Sequence, residues 1–123
     1  MAKSIERYFR LLPKPHAMRS GGRLWYPPAD VYRTRDGWIV KMELAGICKD
    51  ELQIEIAAEV LRVAGCRRDT VHTETVSYHQ LEITYSRFEK TIRFPCPIEG
   101  ATIITRYEDG LLILHLRSPE VCE

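Results

Sequence analysis

From Pro28 to Arg117 the chain reads as short period-2 apolar runs, broken by Asp36-Gly37, Ala45-Gly46, Ala58-Glu59, Cys96-Pro97 and Asp109-Gly110. Strict alternation over five to eight residues belongs to half-buried strands, and the breaks are turn chemistry. Trp38, Val40, Met42 and Leu44 form one apolar row against Ile39, Lys41 and Glu43. Leu52, Ile54 and Ile56 alternate with Gln53 and Glu55, and Leu61 and Val63 follow a tight turn at Ala58-Glu59 for which a splayed type I geometry is expected. Gly65 reads as the stop of that strand. Phe88, Lys90, Ile92 and Phe94 form a further row, and Ile103, Thr105 and Tyr107 lead through Asp109-Gly110 into Leu112, Leu114 and Leu116. Val31 and Tyr32 belong to a first strand that flanking prolines hold at an edge. So many antiparallel strands imply two packed sheets, an all-β sandwich.

The remainder of the chain is short. Of 123 residues, 1–26 read as an N-terminal arm and linker, 27–117 as the β domain and 118–123 as a tail. In the arm Ile5, Tyr8, Phe9 and Leu12 recur at helical spacing between Ser4 and Pro13, which predicts a short amphipathic helix. Residues 66–82 are long, polar and aperiodic, with enough β character at Val76, Tyr78 and Leu81 for one short strand. A loop of that length in a compact domain is usually functional.

Chemistry is scarce. Eighteen basic and seventeen acidic residues leave a net charge of +1, which gives no footing for a dedicated nucleic-acid binder. Arg67-Arg68 reads as a solvated turn. No run approaches the roughly 20 apolar residues that span a bilayer, and no secretion signal is visible, so the expected location is cytoplasmic. Cys48, Cys66, Cys96 and Cys122 form no metal-binding pair; a reducing compartment would keep them as thiols, with Cys66 and Cys122 on exposed segments able to cross-link on oxidation. His16, His72, His79 and His115 lack spaced carboxylate partners, and Gly21-Gly22 is no phosphate loop. No enzyme, metal or cofactor is expected.

Several segments nevertheless occur in a telling order: Pro28-Ala29-Asp30-Val31-Tyr32, Leu44-Ala45-Gly46-Ile47 with Lys49-Asp50-Glu51-Leu52, and Leu61-Arg62-Val63-Ala64-Gly65. After the long loop come Tyr85-Ser86-Arg87-Phe88-Glu89-Lys90, Phe94-Pro95, and Thr105 through Tyr107 to Asp109-Gly110-Leu111-Leu112. In this ordered set the chain resembles a small heat-shock protein of the bacterial-like branch, built on an α-crystallin domain. The resemblance implies an immunoglobulin-like antiparallel β-sandwich and a homodimer made by exchanging a strand, here from about 72 to 80 of the 66–82 loop. Dimer contacts would then fall to Val76, Tyr78, Leu81, Tyr85 and Lys90.

It also implies ATP-independent binding of partly unfolded client proteins. The arm residues Ile5, Tyr8, Phe9 and Leu12 would contact clients, as would a groove including Leu52, Ile54, Ile56 and the exposed Ile104. Ala45, Ser86, Lys90 and Thr105 stand where the family often has Pro, Gly, Arg and Ala. The tail lacks the Ile-x-Ile or Ile-x-Val pair that builds large cages, so dimers or small oligomers are expected. A docking or co-chaperone module of the same fold is the alternative.

Overall fold

The computed structural model describes residues 25–71 and 75–118. Among these residues seven strands form: β1 (Ala29–Thr34), β2 (Gly37–Glu43), β3 (Gln53–Ala57), β4 (Val60–Cys66), β5 (Arg87–Arg93), β6 (Thr102–Glu108) and β7 (Leu111–Arg117). All pairings are antiparallel. One sheet runs β1-β2-β7-β6 and the other β3-β4-β5, so β1 and β6 edge the first while β3 and β5 edge the second. A short 3-10 turn, Lys49–Glu51, enters β3.

The alternation read from the sequence becomes the core. Val40, Met42 and Leu44 from the β2 side, Leu112, Leu114 and Leu116 of β7, Leu61 and Val63 of β4, Phe88, Phe94 and Ile98 are all buried in one cluster. Register makes this possible: Val40 pairs with Leu114 and Met42 with Leu112, so like faces coincide. Removing that apolar surface from water is the main term holding the sheets together. The Tyr107 hydroxyl adds a cross-tie by donating to the Leu44 carbonyl at 2.6 Å. Trp25 belongs to the packed unit as well, its ring edge-on to Phe88 at 5.4 Å and its N–H bonded to the Arg87 carbonyl at 3.2 Å.

Three details differ from the sequence reading. Ala58, the first central residue of the β3–β4 hairpin, has φ +54° and Glu59 is not in the positive-φ region, the pattern of a II′ turn rather than type I. The loop after β5 holds it there: Phe94 N–H donates to the Glu59 carbonyl at 2.8 Å and Ile98 N–H to the Ala58 carbonyl at 2.9 Å, while Glu99 accepts from the Ala58 N–H at 3.2 Å. The β1–β2 turn is Arg35-Asp36, with Gly37 already in β2. Its φ of +155° and a Leu116 carbonyl oxygen 1.8 Å from where a Cβ would stand require glycine. Finally, β4 does not stop at Gly65. It runs on through Cys66, and Val63, Ala64, Gly65 and Cys66 are buried in succession because this central strand is covered on both faces.

Candidate functional site

Among the described residues no three His, Cys, Asp or Glu side chains converge on a metal position. The distinctive features are instead the sheet rims and one long connection. Between β4 and β5, the described residues 67–71 and 75–86 form no strand of their own. The short strand expected at Val76, Tyr78 and Leu81 is thus absent from the single protomer. In its place stands an irregular stretch whose described residues show Val71, Val76, Tyr78, Leu81 and Ile83 to solvent, Tyr78 being 65% exposed. Five large apolar side chains exposed along one connection is more than isolated surface apolarity explains.

The base of this connection is clamped. Arg67 donates from Nε and Nη2 to the Thr84 carbonyl at 3.0 and 2.8 Å and from Nη1 to the Ala45 carbonyl at 3.1 Å. Its guanidinium lies 3.8 Å from the Trp25 ring centre and 5.8 Å from that of Tyr85. The Arg67 N–H closes the loop on the Ser86 carbonyl at 3.0 Å. Arg68 pairs with Glu51 at 2.6 Å. The expectation of a solvated basic turn at Arg67-Arg68 is therefore corrected: a planar cation with a forked set of donors anchors the loop ends, and partial burial lowers its pKa from the usual value. Sequence alone gave one usable signal, the aromatic Trp25 and Tyr85 that such a cation stacks on.

Of the expected dimer contacts, Val76, Tyr78 and Leu81 lie on this exposed stretch, Tyr85 at its clamped base, and Lys90 on edge strand β5 in the row of Phe88 and Ile92. The other unfinished rim nearest in character is β1, an edge strand with Val31 and Tyr32 each 43% exposed.

A second rim pair is formed by β3 and β6, edges of different sheets that share no ladder. Leu52, Ile54 and Ile56 from the β3 side and Ile103 and Tyr107 of β6 are only partly buried against the core. Ile104 does not join them. Its pairing with His115, which pairs in turn with Ile39, puts it on the outward face of the four-stranded sheet. There it lines a shallow depression of about 290 Å³ with Ile39, Ile113 and His115. Period-2 geometry sends Ile103 and Ile104 to opposite faces, so Ile103 packs against the core while Ile104 is exposed.

The arm residues Ile5, Tyr8, Phe9 and Leu12 lie outside the described residues. Two readings of the cysteines change. Cys66 is buried, 3% exposed, and burial raises its thiol pKa. Cys96 is disulfide-bonded rather than free, while Cys48 and Cys66 are free thiols.

The described residues form an antiparallel β-sandwich of two sheets with an exposed apolar connection between β4 and β5. The Hsp20/alpha crystallin family matches residues 30–123, and the chain belongs to that family. Small heat shock protein C2 of Rickettsia felis is 30% identical over 94 residues, covering 76% of this chain and 60% of the relative. The 22.0 kDa heat shock protein of Arabidopsis thaliana is 29% identical over 94 residues, 74% of this chain and 48% of its own length. The chain thus spans between about half and three-fifths of these relatives. Among solved structures, heat shock protein 16.0 from Schizosaccharomyces pombe superposes with a TM-score of 0.72 at 24% identity, covering 80% of this chain and 92% of that one. The hspA protein of Xanthomonas axonopodis does so at 0.65 and 20% identity, covering 79% and 97%. Both share the fold.

Proposed function

We propose that this chain is an ATP-independent holdase that binds partly unfolded proteins and keeps them from aggregating. It works in the cytoplasm as a homodimer formed by strand exchange through the 66–82 loop, assembling no further than small oligomers. The observation that carries this reading is the clamped connection, which displays Val76, Tyr78, Leu81 and Ile83 with no strand partner in its own protomer. An exposed backbone of that kind is satisfied by an open edge such as β1 of a second copy, and a symmetric exchange closes the pair.

Client capture needs no nucleophile, metal or nucleotide. Unfolding proteins expose apolar side chains and unpaired strands, and each Å² of apolar surface covered contributes roughly 25 cal/mol. The groove between β3 and β6, walled by Ile54, Ile56, Ile103 and Tyr107, and the arm residues Ile5, Tyr8, Phe9 and Leu12 supply such surface. Nucleic acid and membrane have no part in this reading, and neither does an enzymatic step.

The test is a turbidity assay with two unrelated heat-labile proteins and no ATP. Suppressed aggregation at near-stoichiometric ratios is expected, weakened when residues 1–24 are removed. Failure to suppress either substrate, together with tight binding to one folded protein, would favour a docking module instead.

A further inference from the structure

The segment that leads into β3 is drawn against the end of β4. Ile47 and Arg67 face each other as an isolated antiparallel bridge. Arg67 Nη1 donates to the Ala45 carbonyl at 3.1 Å on one side of it, and Arg68 pairs with Glu51 at 2.6 Å on the other. Two free thiols fall between these ties. In an antiparallel ladder residue i+1 stands opposite residue j−1, so the Ile47–Arg67 bridge sets Cys48 opposite Cys66. Cys48 keeps the extended backbone that such a pairing needs, with φ −96° and ψ 112°.

Both thiols also share a face. Ile47 packs against the core, so Cys48 points away from it. A Cβ on Gly65 would meet the Phe88 and Leu52 side chains of the interior, so Cys66 lies on the outer side of β4 as well. Cys48 is near enough to bear electrostatically on the Cys66 thiol, and Arg68, Arg87 and Glu51 are the other charges that do so. Directly opposed residues have Cα atoms about 4.5–5.5 Å apart, within the roughly 4.4–6.8 Å that a disulfide spans. The two differ in access: Cys48 is exposed and Cys66 is buried.

We propose that Cys48 and Cys66 are a cross-strand redox pair, in which Cys48 takes up a small-molecule disulfide and Cys66 resolves it to a bond within the protomer. The Cys48 thiolate attacks one sulfur of the reagent, forming a mixed disulfide and releasing one thiol. The Cys66 thiolate then attacks the Cys48 sulfur and releases the second thiol. Two protein thiols become one S–S bond, their two protons leave on the two released thiols, and a dithiol reverses the exchange. Burial closes Cys66 to reagents in solution but leaves it facing the Cys48 side of the bridge. The bond staples the entry of β3 to the end of β4, next to the Arg67 clamp at the base of the apolar connection. The pair stands or falls separately from the holdase reading, because it is read out on bonds and not on clients.

The chain itself provides the assay. Cleavage after Lys41, Lys49, Arg62 and Arg67 yields fragments 42–49 and 63–67, each with a single cysteine. The full chain is incubated with oxidised glutathione or with dithiothreitol, denatured, alkylated with iodoacetamide and digested with trypsin without reduction. After oxidation the two fragments should appear joined, from protein that runs as a monomer on a non-reducing gel, and dithiothreitol should separate them. Alkylation of Cys48 should fall at least tenfold on oxidation. In Cys66→Ala the unresolved mixed disulfide should accumulate on Cys48 instead. Cys48 left carrying glutathione beside a free Cys66 in the unmodified chain, both thiols free after oxidation, a link between two chains, or either cysteine joined to Cys96 would each overturn the proposal. The measurement on the unmodified chain decides the question even if the alanine variant folds poorly.

Discussion

Single residues show where strain and burial override pattern. Ala58 holds a positive-φ backbone that costs an L-residue about 1–2 kcal/mol, and the turn is held by Phe94 and Ile98 N–H donating to the Glu59 and Ala58 carbonyls and by Glu99 accepting from the Ala58 N–H. Glycine removes that cost but brings an entropic penalty of about 0.5–1 kcal/mol. Ala58→Gly is therefore expected to raise unfolding stability by about 0.5–1 kcal/mol, read as a higher urea midpoint at unchanged slope. Cys66 presents the opposite case of a reactive group silenced. Burial favours its neutral thiol, so the thiolate that alkylating agents need is depleted at neutral pH, and access is closed as well. Iodoacetamide at pH 8 should modify Cys48 in the native protein and leave Cys66 unmodified until denaturant is added. The turn at Ala58-Glu59 was legible in place but not in type, because neither Ala nor Glu signals a positive φ. The burial of Cys66 was hidden because Gly65 reads as a strand stop, whereas a glycine in a doubly covered strand marks close approach, here to Phe88 and Leu52.

At the scale of elements, sheets were legible and rims less so. Trp38, Val40, Met42 and Leu44, and Leu112, Leu114 and Leu116, revealed their inward face because one side of each strand meets the core. The edges β3 and β6 gave a weaker signal, since all residues of β3 are only half-buried and β6 carries two adjacent isoleucines. Alternation nonetheless placed Ile103 and Tyr107 inward and Ile104 outward, as the structure has them. The long connection was recognisable by its length and missing period, but its anchoring by Arg67 depends on carbonyls of Thr84 and Ala45 that no sequence pattern displays. Because Val76 and Tyr78 are exposed in the protomer, charging them should leave its fold intact. In the exchanged dimer each would bury an apolar side chain worth about 1.5–3 kcal/mol. Val76→Asp and Tyr78→Asp should each weaken dimerisation at least tenfold by sedimentation while leaving the protomer's far-UV spectrum unchanged. An unaltered dissociation constant for both would remove the connection from the interface.

For the whole molecule, the central claim is that the sandwich is finished in its core and unfinished at its edges. Among the described residues eleven buried side chains form one continuous cluster. At the rims β1, β3, β5 and β6 end their sheets, and the described part of the connection between β4 and β5 exposes apolar side chains. Natural sandwiches rarely leave edges open without a device that blocks or uses them. Multi-angle light scattering on the full chain at micromolar concentration tests this most directly. The account predicts the mass of a dimer or a small multiple of it; a stable monomer of 14.3 kDa over that range, or a shell of a dozen or more subunits, would contradict it.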